Sequence, residues 1–167
     1  MTDNFELSGD CNPCEPELAV CYSTQRAYEK ELAADCNYEK WDCAIWPREN
    51  WLNLGDDEFA IIRKQWIENM GLPFLTYDEF FDSGKSDGEF DKMCEKYAVI
   101  DHEFMKILVA IIKELHETGF IKDKLGREIP VIIYCHGDYD DADKLAEHNI
   151  EANTPTLVQE FIKFLKT

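Results

Sequence analysis

The sequence predicts an α+β fold: a small, mostly antiparallel sheet packed with several helices. Three observations predict it. Two short β-prone stretches separated by a turn open the chain, at 4–9 and 17–22. A third run, near 130–136, is apolar on both alternations. Between and after these, apolar residues recur at helical spacing, most densely in IDHEFMKILVAIIKELHETG, from Ile100 to Gly119. At 167 residues the chain suits a single domain spanning 1–167, and a domain of that size hides roughly 70% of its unfolded surface.

The long segment has apolar residues at 100, 104, 105, 107, 108, 109, 111, 112 and 115. That is more than one stripe of a 3.6-residue period, so the pattern predicts a helix near 100–118 that is buried on several sides. Lys106, Lys113 and Glu117 give it one wet edge, and Gly119 stands where a left-handed cap belongs.

Taken in order, Asn4–Gly9 reads as a strand, DCNPCEP as a turn and Glu17–Tyr22 as a second strand, which together make a hairpin. Ser23 or Thr24 can cap a helix from Gln25 to Cys36, with Ala27, Tyr28, Leu32 and Ala33 inward. In the stretch that follows, Trp41, Trp46 and Trp51 recur every five residues, and Pro47 suits the first turn of a short helix. Asp56 or Asp57 caps a helix from Glu58 to Met70 whose inward face is Phe59, Ile62, Trp66 and Met70; Gly71 and Pro73 end it. Phe74–Gly88 reads as irregular, with one turn of helix at Tyr77–Phe81. A helix restarts at Glu89 and runs into the long segment, with a bend near Val99–Asp101. The strand IPVIIYCHG lies between Pro130 and Gly137 and is expected to be central or covered on both faces. A helix near Ala142–His148 follows. The last helix is capped by Thr154 and opened by Pro155, with Leu157, Val158, Phe161, Phe164 and Leu165 inward.

Charge is the outlying property. There are 35 acidic and 17 basic residues, for a formal net charge of −18. A field of that sign repels phosphate backbones and anionic lipid, so nucleic acid and membrane are poor partners, whereas a basic protein is drawn in. The same acidity also keeps a protein soluble. The acidic residues concentrate in 1–25, 78–95 and 138–151. With no basic start followed by an apolar run, the sequence carries no signal-peptide pattern. Its 7 cysteines are odd in number and irregularly spaced. Reduced thiols in the cytoplasm are therefore expected, not a disulfide framework.

Candidate chemistry is sparse. Cys11-Asn-Pro-Cys14 has the spacing of a redox or half-zinc motif, but a strand-like ELAV follows it where a thioredoxin-type thiol needs a helix N-terminus. A zinc site needs a second pair, and Cys36 and Cys43 are too far apart for the usual knuckle. Cys135 and His136 are adjacent strand residues that point to opposite faces, so they cannot form a dyad. His102, His116 and His148 have no partner that the sequence reveals. Asp138, Asp140, Asp141 and Asp143 cluster after the core strand. Oxygen-rich loops of this kind can hold a hard cation, yet carboxylates equally suit a loop and the start of a helix. The tryptophans read first as core anchors, each beside aliphatic or aromatic neighbours. An exposed one beside acids would anchor a basic partner. The partner-binding candidates are therefore Trp41, Trp46, Trp51, Asp138, Asp140 and Asp141. No catalytic residue, metal ligand or cofactor is assigned. There is no phosphate loop, no His-Glu-x-x-His and no Gly-x-Ser-x-Gly.

An opening strand, AVCYSTQRAYEKEL, KWDCAIWPRENW, a long apolar helix ending in ETGF, the strand IPVIIYCHGDYDD and a terminal LVQEFIKFL follow one another. This arrangement resembles a bacterial family of cytosolic domains of unknown function, similar to the immunity proteins encoded beside polymorphic toxins. The resemblance covers most of the chain and rests on spaced aromatics. The chain departs from the pattern in lacking a helix ahead of the first strand and in having Gln25 where an acid is expected. The resemblance implies an acidic cytosolic protein that docks on a basic partner such as a toxin, and it implies no catalytic residue. The alternative is a metal-assisted hydrolase in which Asp138, Asp140, Asp141 and His136 hold an ion and orient a water.

Overall fold

The structure is a computed structural model that describes residues 4–10, 17–23, Glu29, Trp41, 52–54, 59–81, Gly84, 86–135 and 142–166. Helix predominates among these residues. Strands β1 (Asn4–Asp10) and β2 (Glu17–Ser23) form an antiparallel hairpin in register from Asn4 opposite Ser23 to Asp10 opposite Glu17. Strand β3 (Leu52–Leu54) adds antiparallel to β2. Strand β4 (Val131–Cys135) adds parallel to β1, giving the order β3-β2-β1-β4. The parallel pairing follows from the route: the chain between β1 and β4 includes several helices, and a parallel neighbour needs a long crossover of this kind.

β4 is thus an edge strand, not a central one, yet Val131, Ile132, Ile133 and Tyr134 are all buried. Alternate side chains enter different cores. Val131 and Ile133 join Met105, Leu108, Val109, Ile112, Ile121, Ile129 and Ala152 on one face. Ile132 and Tyr134 join Trp41, Leu145, Val158 and Phe161 on the other. A strand covered on both faces reads as a continuous apolar run wherever it sits in the order.

The helices described along their length are α1 (Ala60–Asn69), α2 (Tyr77–Phe81), α3 (Asp87–Glu117), α4 (Phe120–Leu125), α5 (Ala142–Ala152) and α6 (Pro155–Phe164). The organising rod, α3, is a single helix of 31 residues, about 46 Å long at 1.5 Å per residue. It starts well before residue 100 because Ser86 and Glu89 form a reciprocal cap. The Ser86 N–H and hydroxyl donate to Glu89 Oε2 at 3.0 and 2.8 Å. No break falls at Val99–Asp101, where the helix is continuous. Gly119, at φ 71°, ends the reversal after Thr118 and opens α4.

α3 is buried over one broad face, not on several sides. Val99, Ile107 and Ile111 are 41–46% exposed, alongside the expected wet positions Lys106, Lys113 and Glu117. The C-terminal half of α3 covers the sheet, while its N-terminal half makes a separate core: Met93, Tyr97 and Ile100 with Ile67, Leu72 and Phe80.

α1 also differs from expectation. Its buried face centres on Ile67, with Trp66 and Met70 half-buried, whereas Phe59 and Ile62 are exposed. The helix meets the Met93–Tyr97–Ile100 core through its C-terminal half, and its Trp66 ring also lies 6.4 Å from the ring of Phe104, which packs against the sheet-side core. The proposed helix at 25–36, the Pro47 turn and the Asp56 or Asp57 cap lie outside the described residues, apart from Glu29, which is helical and exposed. The last helix follows its pattern. Thr154 and Pro155 open it, Val158 and Phe161 are buried, and Leu157, Phe164 and Leu165 are half-buried.

Candidate functional site

The free edge of β4 carries outward N–H and C=O groups at Val131 and Ile133, and a buried edge with unpaired groups is costly. α5 seals it with two asparagines spaced i, i+4. Asn149 Oδ1 accepts the Ile133 N–H at 2.8 Å, and its Nδ2 donates to the Ile133 carbonyl at 2.9 Å. Asn153, one residue past α5, does the same for Val131, at 2.8 and 2.9 Å. The geometry is commensurate. Four helical residues rise about 6 Å, and two strand residues advance about 6.6 Å. The helix residue number falls as the strand number rises, so α5 runs antiparallel to β4. Each Nδ2 also donates to the carbonyl four residues back, Leu145 at 2.8 Å and Asn149 at 3.1 Å. Each amide therefore imitates one residue of an absent strand. This explains two buried polar side chains, 0% and 6% exposed, in an otherwise apolar core.

His116, near the end of α3, is joined to this seal. Its Nε2 lies 3.1 Å from Asn153 Oδ1 and its Nδ1 lies 3.0 Å from Glu128 Oε2. The imidazole is nearly buried, while the Glu128 carboxylate reaches the surface. A carboxylate, an imidazole and an amide in a row resemble a hydrolytic relay, but both ring nitrogens are committed. A general base must offer a lone pair to its substrate, and this ring has none free. The arrangement ties the end of α3 to the asparagine seal on β4.

The other polar groups are local. Glu79 accepts the Thr76 N–H at 2.9 Å and its hydroxyl at 3.1 Å, so that its carboxyl is held below the ordinary range, first by the backbone bond and then by the hydroxyl. The Lys106 ammonium, 2.7 Å from Glu103, lowers that carboxyl too. Glu79 is exposed and Glu103 is partly so, and both contribute locally.

Of the residues expected to bind a partner, Trp41 is a core residue. It is 6% exposed and packs edge-on against Phe161 at 5.6 Å, which removes it from a docking surface. Trp46, Trp51, Asp138, Asp140 and Asp141 lie outside the described residues, as do His136, Cys11, Cys14, Cys36 and Cys43. Asp143 stands exposed in the first turn of α5, where a carboxylate suits the helix dipole. Cys94 is a half-buried free thiol. Among the described residues no three His, Cys, Asp or Glu side chains gather as a metal site, and no helix is long and apolar enough to cross a membrane.

Reading the sequence missed the amide seal and both helix caps. The caps had a signal: Thr76-x-x-Glu79 and Ser86-x-x-Glu89 are capping-box spacings. The seal's signal was fainter, a pair of asparagines four apart on the helix that follows a strand. No protein-family model, curated protein or solved structure matches the chain.

Proposed function

We propose that the protein is an acidic binding module that docks on a basic protein partner and covers that partner's working surface, as an inhibitor or immunity-type protein does. The observation that carries this reading is the charge, −18 from 35 acidic against 17 basic residues. Such a field accelerates encounter with an oppositely charged protein and repels nucleic acid and anionic lipid. Part of the surplus surrounds exposed aromatic area. The tilted rings of Tyr77 and Phe81 lie 4.5 Å apart, are each about half exposed, and share α2 with Asp78 and Glu79. Phe81 also lies 5.8 Å from Phe90, beside Asp87, Glu89 and Asp91 in the exposed first turns of α3. Aromatic anchors inside a charged rim have the composition of an interaction hot spot. The sequence adds a second acidic stretch at Asp138, Asp140 and Asp141. The resemblance to cytosolic toxin-immunity families, and a cytoplasmic location, belong to the same proposal.

The test is affinity capture from the native host at about 50 mM salt, followed by a salt-gradient elution. The reading expects a basic protein released as salt shortens the screening length from about 14 Å towards 4 Å. Capture of a neutral or acidic protein whose binding ignores salt would overturn it.

A further inference from the structure

His116 faces an oxygen from each ring nitrogen, Glu128 Oε2 at 3.0 Å and Asn153 Oδ1 at 3.1 Å. A neutral imidazole has one donor and one acceptor, so it can satisfy only one of them. Rotating the Asn153 amide by half a turn would resolve the conflict elsewhere, since amide oxygen and nitrogen are assigned from their partners. Here that rotation is closed. Asn153 Oδ1 must accept the Val131 N–H, and Nδ2 must donate to the carbonyls of Val131 and Asn149. Turned over, N–H would face N–H and oxygen would face two carbonyls. Keeping both contacts takes one proton on Nε2 and another between Nδ1 and the carboxylate.

We infer that His116 is built into the fold as the doubly protonated imidazolium, and that this bound proton is a pin joining α3, the α4–β4 connection and the asparagine seal on β4. Glu128 supplies the counter-charge. The other titratable groups on the neighbouring turns are Lys113, Glu114 and Glu117 on α3, Lys122, Asp123 and Lys124 on α4, Arg127 beside Glu128, and Asp143, Lys144, Glu147, His148 and Glu151 on α5. On β4, Tyr134 enters the opposite core. When the proton leaves, the neutral ring keeps one bond and releases the other. The fold thus contains a proton-dependent fastening of its C-terminal helices.

The discriminating variant is Glu128→Gln. A glutamine amide can donate to Nδ1 of a neutral ring, so both contacts survive without the second proton. Glu128 is also exposed enough for the exchange to leave the core intact. In 15N-labelled wild type at pH 6, both His116 ring nitrogens should carry the protonated signature; in Glu128→Gln, Nδ1 should be bare. Between pH 6 and pH 9 the wild-type Tm should fall relative to that of Glu128→Gln by about 2–4 °C. A bare Nδ1 in the wild type at pH 6, or parallel Tm profiles, would overturn the inference. Neither result depends on the docking function proposed above.

Discussion

Around the N-terminal half of α3, Phe80 meets Phe81, Tyr97 and Phe90 edge-on at 5.1, 5.2 and 5.8 Å, and Ile67, Leu72, Met93 and Ile100 fill the space beside them. Around the C-terminal half the aliphatic packing is similar, but the element that closes the core does so with hydrogen bonds from side-chain amides: Asn149 and Asn153 against β4, with His116 behind them. The two halves fail differently. A contact made by area can be remade by another side chain of similar volume. A contact made by a donor facing an acceptor cannot, because the partner's desolvation has already been incurred and stays uncompensated. One helix is therefore held at one end by tolerant packing and at the other by exacting geometry.

The largest expected effect tests that contrast directly. Asn149→Leu roughly conserves volume and leaves the Ile133 N–H and C=O without partners in a closed core. Two such groups, each costing about 1–3 kcal/mol, predict a loss of about 3 kcal/mol in urea unfolding. Leu72→Met, a comparable exchange in the aromatic core, should cost less than about 1.5 kcal/mol. Equal losses at the two positions would abolish the distinction.

The same contrast governs what could be read from the sequence. Packing by area leaves a periodic trace, which is why α3, the hairpin, the single turn at Tyr77–Phe81 and the burial of 131–134 were legible. The trace gives which residues are apolar, not which neighbour covers them. Hence Ile107 and Ile111 counted as buried although they face outward, and Phe59 and Ile62 took the place of Ile67 on the inner face of α1. Directional contacts leave no periodic trace. Asn149 and Asn153 have meaning only once β4 is known to be an edge, and that depends on its parallel pairing with β1, far away in sequence. His116 needed Glu128 and Asn153, 12 and 37 residues away, to become a site at all. The aromatic stretch was legible only as far as Trp41, whose edge contact with Phe161 bears out the plain reading of a core anchor.

A smaller effect sharpens the comparison from within the tolerant half. Tyr97 is 2% exposed and donates its hydroxyl to the Pro73 carbonyl at 2.7 Å, a directional bond set among edge-on rings. Pro73 itself is exposed, so water can replace the hydroxyl there. Tyr97→Phe should therefore cost about 1 kcal/mol, well short of Asn149→Leu. A loss of similar size would mean that location in the aromatic core gives no relief.

The smallest effect is local and runs opposite to the histidine pin in pH. Glu79 caps α2 by accepting from the Thr76 N–H and hydroxyl, which lowers its carboxyl below the ordinary value of 4.5. A carboxyl depressed in the folded state stabilises above its unfolded value, and that contribution is lost as pH falls through the lowered folded value. Acid should then loosen the first turn of α2 while leaving β4 sealed, whereas base should loosen the seal while leaving α2 capped. The Thr76 amide resonance followed through an acid titration reports the first change, and in Glu79→Gln its acid transition should vanish without altering the alkaline behaviour of His116. If one titration moved both sites together, the α2 cap and the β4 seal would be coupled through the cores that α3 joins.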